Sequence, residues 1–179
     1  MDGELFWSIV EDARAEMGAD SERVAQVLLR RLRALPPDDI ERFQELWEQA
    51  QDEVFRWPIS DAAVLLLGPT DDFLAVQGWI VSHGRDTVRR LLDDPDSLVE
   101  LAPDRHNAQI DWFTGLAMEA HIAATGAPFA VDGPPGLDEP LGTPVDLTDE
   151  AKARRQFPRL TAYLDDNSWI QRPWADPAD

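Results

Sequence analysis

The sequence predicts an all-α fold, a single compact multi-helix domain, and three observations support this class. Apolar residues recur at three- and four-residue steps along most of the chain, as in amphipathic helices. The alternating pattern of a half-buried strand is absent. Gly and Pro fall between the periodic stretches, where they end one helix and allow the next to begin.

The first three predicted helices lie before residue 56. The first runs from Glu4 to Glu16, and the second is capped by Asp20 or Ser21 and broken by Pro36-Pro37. The third runs from Asp38 to about Phe55, and Trp57-Pro58 is expected to mark its end.

The middle of the chain, residues 60–98, is its most apolar part and predicts three short helices. The first is the run Ala62–Leu67, ended by Gly68-Pro69. Thr70 is then placed to cap a second helix that reaches His83 and Gly84, and the third spans Asp86–Leu92. Pro95 can open one further turn, as far as Leu101.

The remaining predicted helices lie after Pro103. The longest is expected from Asn107 to Thr125, with an apolar face that includes Ile110 and Ile122. Residues 126–147 are rich in Pro and Gly, which excludes a regular helix or central strand. We expect an irregular surface segment pinned by Phe129, Val131 and Leu137. Short helices through Ala153 and from Phe157 to Leu164 complete the domain, residues 1–164, and 165–179 form an acidic tail.

Composition limits the possible functions. The 179 residues carry a net charge of −19, and such a charge repels nucleic acids and anionic membranes. The same charge permits a basic protein or peptide partner. No cysteine is present, so disulfides and thiolate chemistry are excluded. No basic apolar leader and no run of about 18 apolar residues occurs, so a cytoplasmic protein is expected.

The residues best suited to chemistry cluster between residues 71 and 86. Asp72, Val76, Trp79 and His83 fall on one helical stripe, so an acid, an indole and an imidazole can line one groove. His83 beside Arg85 could be a general base, or a histidine placed favourably at a helix C-terminus. The binding candidates are therefore Asp71, Asp72, Trp79, His83 and Arg85.

The two aspartates also have a simpler interpretation as the first-turn acids of the helix that Thr70 caps. Two adjacent carboxylates are too few for a cation site, and no phosphate loop, nucleophile elbow or zinc motif is present. No metal and no cofactor is predicted.

Several motifs together resemble a bacterial family known as domain of unknown function 4240. The matching residues, in the family's order, are Phe6-Trp7, Ala62-Ala63, Gly68, Thr70-Asp71-Asp72, Phe73, Trp79-Ile80, Gly84, Pro95-Asp96-Ser97-Leu98, Glu119-Ala120, Thr125-Gly126 and Phe157-Pro158-Arg159-Leu160. The chain departs from that pattern at Ser60, Pro69, Gln77 and His121, where the family has Trp, Gly, Arg and Tyr. The resemblance implies the fold and the position of a site, and no reaction.

Two hypotheses about function follow. The first is a non-catalytic module that binds a protein or peptide, basic if electrostatics guide it. The second is a small enzyme or ligand-binding protein with a site around Asp71, Asp72, Trp79 and His83. A closed pocket around those residues would favour the second hypothesis, and a flat or filled site would favour the first.

Overall fold

A computed structural model describes residues 1–69, 73–130, 137 and 139–175, and its regular elements are helices. The all-α class is confirmed, since 68% of the described residues are helical and none of them forms a strand. The helices of those residues are α1 (Gly3–Met17), α2 (Ser21–Leu32), α3 (Pro37–Val54), α4 (Trp57–Leu67), α5 (Phe73–Val81), α6 (Arg85–Asp93), a 3₁₀ segment (Pro95–Asn107), α7 (Leu116–Thr125), α8 (Glu150–Gln156) and α9 (Pro158–Asp166).

Aspartate side chains cap several helices, as their position before an apolar run predicts. Asp20 caps α2 by accepting the main-chain N–H of Arg23 at 3.1 Å. Asp149 caps α8 in the same way, with the N–H of Lys152 at 3.1 Å. These caps set where the short helices begin.

The predicted helix Asn107–Thr125 is wrong in its first half, because α7 begins only at Leu116. Asp111 accepts the N–H of Thr114 in a local turn, and Gly115 has a φ of +76°, a left-handed conformation that interrupts a helix. Ile110 is consequently 42% exposed instead of lying on an apolar helix face.

Two other boundaries differ from the prediction, and both depend on proline. Trp57-Pro58 was expected only to end α3, but it forms the start of α4. A proline is tolerated there because the main-chain N–H groups of a first helical turn have no acceptor within the helix. The turn opened by Pro95 continues to Asn107 as 3₁₀ structure with Pro103 inside it. Pro103 has no main-chain N–H to donate, so a longer regular α-helix would lack one hydrogen bond there.

The core is centred on α5, in which Trp79, Ile80 and Val81 have no exposed surface. Around it, α1 packs on α2, α3 on α7, and α4 on the 3₁₀ segment. A chain of contacting aromatic rings links α1, α3 and the turn before α7, and its members are Phe6, Phe43, Trp47 and Phe113. The helices that pack directly on α5 are α3 and α6.

Among the described residues of 126–147 there is no helix, and most of them lie on the surface. Phe129 packs against the core, as expected, but Leu137 is 42% exposed and does not pin the segment. Val131 lies outside the described residues. The apolar residues that do pack inward are Val145 and Leu147, whose positions the sequence analysis did not single out.

Beyond residue 164, α9 continues to Asp166 and Ile170 is buried. Across the described ranges, no helix combines the length and the apolar character needed to cross a membrane.

Candidate functional site

Asp104, in the 3₁₀ segment, is the centre of a buried polar cluster. Its Oδ2 accepts the indole N–H of Trp79 at 2.9 Å and the hydroxyl of Ser21 at 3.0 Å. Its Oδ1 accepts the side-chain amide of Asn107 at 2.6 Å. Only 3% of Asp104 is exposed, so these donors replace the water that the carboxylate loses.

Two positively charged or chargeable groups complete the cluster around Oδ2 of Asp104. Nε2 of His83 lies 3.3 Å away and Nη1 of Arg14 lies 3.6 Å away. Burial acts to raise the pKa of Asp104, but hydrogen bonds from His83, Asn107, Trp79 and Ser21 outweigh it and hold that pKa well below its usual range. The carboxyl is therefore ionised at neutral pH.

His83 is held at both ring nitrogens. Nδ1 lies 2.8 Å from the main-chain oxygen of Trp79, one helical turn earlier, and Nε2 faces Asp104. Both ring nitrogens are therefore occupied by contacts within the protein. The ring also packs edge-on against the Trp79 indole, with centroids 5.1 Å apart.

Arg14 joins the cluster to α1. Its Nε donates to the main-chain oxygen of Ser82 at 3.0 Å, and Nη2 contacts the Ser82 hydroxyl at 2.5 Å. Burial lowers the pKa of Arg14, and the charge of Asp104 opposes that change. The cluster therefore connects α1, α2, the end of α5 and the 3₁₀ segment through ionic and polar contacts.

Of the residues singled out in the sequence, the structure brings Trp79 and His83 together. Arg85 lies elsewhere, at the exposed start of α6, where its Nη1 pairs with Glu4 at 2.6 Å and its N–H donates to Glu11 at 3.1 Å. The hydrogen bond to Glu4 raises the pKa of Arg85. Asp71 and Asp72 lie outside the described residues.

Sequence reasoning missed Asp104, Arg14, Ser21 and Asn107. The spacing of Asp104 and Asn107 places both on one side of a 3₁₀ turn, which is the only local signal they share. Apart from Asn107, nothing near Asp104 in the sequence distinguishes it from the many exposed acids, because its other donors come from distant parts of the chain.

A second buried carboxylate joins two of the motifs that suggested the family resemblance. Asp96, in Pro95-Asp96-Ser97-Leu98, accepts the main-chain N–H groups of Arg159 at 2.8 Å and Leu160 at 2.9 Å. N–H groups in the first turn of a helix have no acceptor within the helix. Asp96 supplies that acceptor and so caps α9 from a distant part of the chain. The two motifs therefore meet in a structural contact.

The described residues define an all-helical protein in which two of the predicted site residues, Trp79 and His83, contact the buried Asp104. In the described ranges, no group of three or more His, Cys, Asp or Glu side chains is placed to hold a metal ion.

The chain belongs to the family described as "Protein of unknown function (DUF4240)", whose model matches residues 1–123. No curated protein and no solved structure matches the chain. The matched residues include every member of the Asp104 cluster and Asp96, whereas the Pro/Gly-rich segment, α8 and α9 lie outside the match. The resemblances noted at Thr125-Gly126 and Phe157–Leu160 also fall outside it.

Proposed function

We propose that the protein is a non-catalytic interaction module that binds a basic segment of a partner protein through the outer face of α3. The observation that carries this proposal is a row of carboxylates along that face. Its members follow three- and four-residue steps, which place them on one side of the helix: Asp38, Glu41, Glu45, Glu48 and Asp52. The row is about 21 Å long at 1.5 Å per residue.

The opposite side of α3 is fixed in the core by Ile40, Phe43, Trp47 and Val54, so the row faces outward. Its negative charge is only partly balanced. Arg42 pairs with Glu45 at 2.5 Å and His121 contacts Glu41 at 3.1 Å.

Asp38 and Asp52 form no ion pair with any described residue. A basic segment that follows the helix can therefore pair with several carboxylates at once. Such charge complementarity mainly raises the rate of association and the specificity of binding.

The filled Asp104 cluster supports a binding role over a catalytic one. Trp79 has no exposed surface, and the His83 side chain is only 12% exposed with both nitrogens in contact. The alternative, an enzyme or ligand site around Asp71, Asp72, Trp79 and His83, gains no supporting observation from the described residues.

The proposal is tested with two triple variants of equal net charge. One neutralises the α3 face (Glu45→Gln, Glu48→Gln, Asp52→Asn). The control neutralises three exposed acids on other helices (Asp86→Asn, Asp93→Asn, Asp166→Asn). Each variant is titrated with a 14-residue peptide of alternating Lys and Gly at two salt concentrations, and both are used as bait in a lysate of the source cells.

We expect the α3 variant to bind the peptide about tenfold more weakly, since three pairs of about 0.5 kcal/mol each are lost. The control variant should change binding by less than about threefold, and a protein captured by the wild type should be lost only with the α3 variant. Equal loss with both variants would mean that total charge, and not this face, determines binding.

A further inference from the structure

Residues 139–147, here called the strap, lie across the junction between α3 and α4. The N–H of Leu141 donates to the main-chain oxygen of Phe55 at 2.9 Å, and the N–H of Trp57 donates to the oxygen of Leu141 at 2.9 Å. Arg56 and Leu141 are thereby paired as an isolated parallel bridge. A bound peptide uses the same main-chain pairing when it adds to an exposed strand.

A third hydrogen bond holds the strap four residues further on. The N–H of Val145 donates to Oδ2 of Asp61, in α4, at 2.7 Å. Between the two attachment points the chain turns at Gly142, whose φ is +94° and where a Cβ would lie 3.6 Å from Cδ of Pro58. The strap is thus held by main-chain groups and one carboxylate, with Val145 and Leu147 packed inward.

The closed strap buries Asp61 at a cost. Asp61 is only 6% exposed, and burial raises the pKa of its carboxyl by more than the Val145 hydrogen bond lowers it. No Lys, Arg or His of the described residues lies within 4 Å of Asp61 to form an ion pair. Opening the strap would return this carboxylate to water, so the strap is held less firmly than its hydrogen bonds alone suggest.

The other side of the strap is also loosely packed. A surface cavity of about 420 Å³ separates it from α8 and is lined by Pro144, Val145, Asp146, Lys152, Arg155 and Gln156. On that side, outward movement of the strap breaks the ion pair between Asp146 and Lys152, whose atoms are 3.2 Å apart, but displaces no close-packed neighbour.

We propose that the strap is a releasable occupant of an acceptor for a partner peptide with the strap's own backbone conformation, formed by the main chain at Phe55–Trp57 and the carboxylate of Asp61. When the strap leaves, the acceptor presents one main-chain oxygen, one N–H and one carboxylate. A segment of a partner protein satisfies all three if it pairs one residue with Arg56, turns at the next residue as the strap does at Gly142, and offers a main-chain N–H four positions after the paired residue. This acceptor is separate from the carboxylate row of α3.

Release is tested by amide hydrogen exchange in the full chain, with two substitutions at one position. Asp61→Asn keeps an acceptor for Val145 without burying a charge, so exchange at Val145 should slow at neutral pH. Asp61→Ala removes the acceptor, and exchange at Val145 and Leu141 should become about tenfold faster or more. Core amides of α5 should change little in comparison. If the strap amides of the wild type exchange only with the slowest core amides, the strap opens only on global unfolding and the proposal is wrong.

The acceptor is tested with a synthetic peptide of residues 139–147. Leu141→Pro removes the N–H that donates to Phe55, which loosens the strap and leaves the acceptor intact. In nuclear magnetic resonance titrations, the peptide should shift the amides of residues 56–61 in this variant. Binding to the wild type should be at least about tenfold weaker, because the tethered strap competes at an effective millimolar concentration. A peptide with Pro at the position of Leu141 is the control. Equal shifts with both peptides, or none with either, would exclude the acceptor.

Discussion

Trp79 donates its indole N–H to Asp104 at 2.9 Å, and this bond joins the most buried helix to the 3₁₀ segment. Both partners are almost fully buried, so the bond is made where water cannot replace it. A hydrogen bond to an ionised group in such a place contributes more than one between neutral groups.

Replacing Trp79 by Phe should therefore cost more than loss of volume alone. Trp47→Phe is the matched control, because Trp47 is buried in the same core and its indole makes no hydrogen bond with a described residue. We expect Trp79→Phe to lower the free energy of unfolding by about 1.5–3 kcal/mol more than Trp47→Phe does. Urea denaturation of both variants measures the difference, and equal losses would contradict the importance of this bond.

Asp104→Asn should be among the most destabilising single substitutions in the chain. It leaves Arg14 buried beside a neutral group and weakens four hydrogen bonds, so we expect a loss of about 3–5 kcal/mol. Asp93→Asn, an exposed residue at the end of α6, should change stability by less than about 0.5 kcal/mol. If Asp104→Asn unfolds in urea at the wild-type midpoint, the cluster does not stabilise the fold.

The same residue should determine part of the acid sensitivity of the fold. The pKa of Asp104 is lower in the folded protein than its ordinary value of 3.8, so its ionised form stabilises the fold fully above that pH. As the pH falls below 3.8, the unfolded state takes up the proton first and this stabilisation is lost progressively. The free energy of unfolding, measured from pH 6 to pH 2, should fall less steeply for Asp104→Asn than for the wild type. Parallel curves would contradict the assignment.

Asp96→Ala should weaken α9 in particular. Asp96 accepts two main-chain N–H groups of that helix and also contacts the Arg159 side chain, so its loss should cost about 2–3 kcal/mol. Asp94→Ala is the control, because Asp94 is exposed and pairs only with the side chain of Arg159. Hydrogen exchange should show faster exchange of α9 amides in Asp96→Ala. A uniform change over all helices would argue against a local cap.

The sequence predicts those features that depend on neighbours along the chain. Trp79 and His83 are one turn apart in a single helix, so their contact could be predicted from spacing. The role of Asp104 could not be predicted, because all of its partners except Asn107 lie in or next to α1, α2 and α5, and pairing across helices leaves no local pattern. Arg85 was grouped with them by proximity in sequence, but α6 begins there and the side chain meets Glu4 instead.

The cap that Asp96 supplies to α9 has a consequence for biosynthesis. Asp96 precedes Arg159 by 63 positions, so Asp96 leaves the ribosome well before the helix that it caps. The early part of the chain can assemble first and present a finished docking point to the last helix as it emerges. We expect α9 to be acquired late, on a preformed surface, and premature termination before residue 158 to leave Asp96 without its two amide donors.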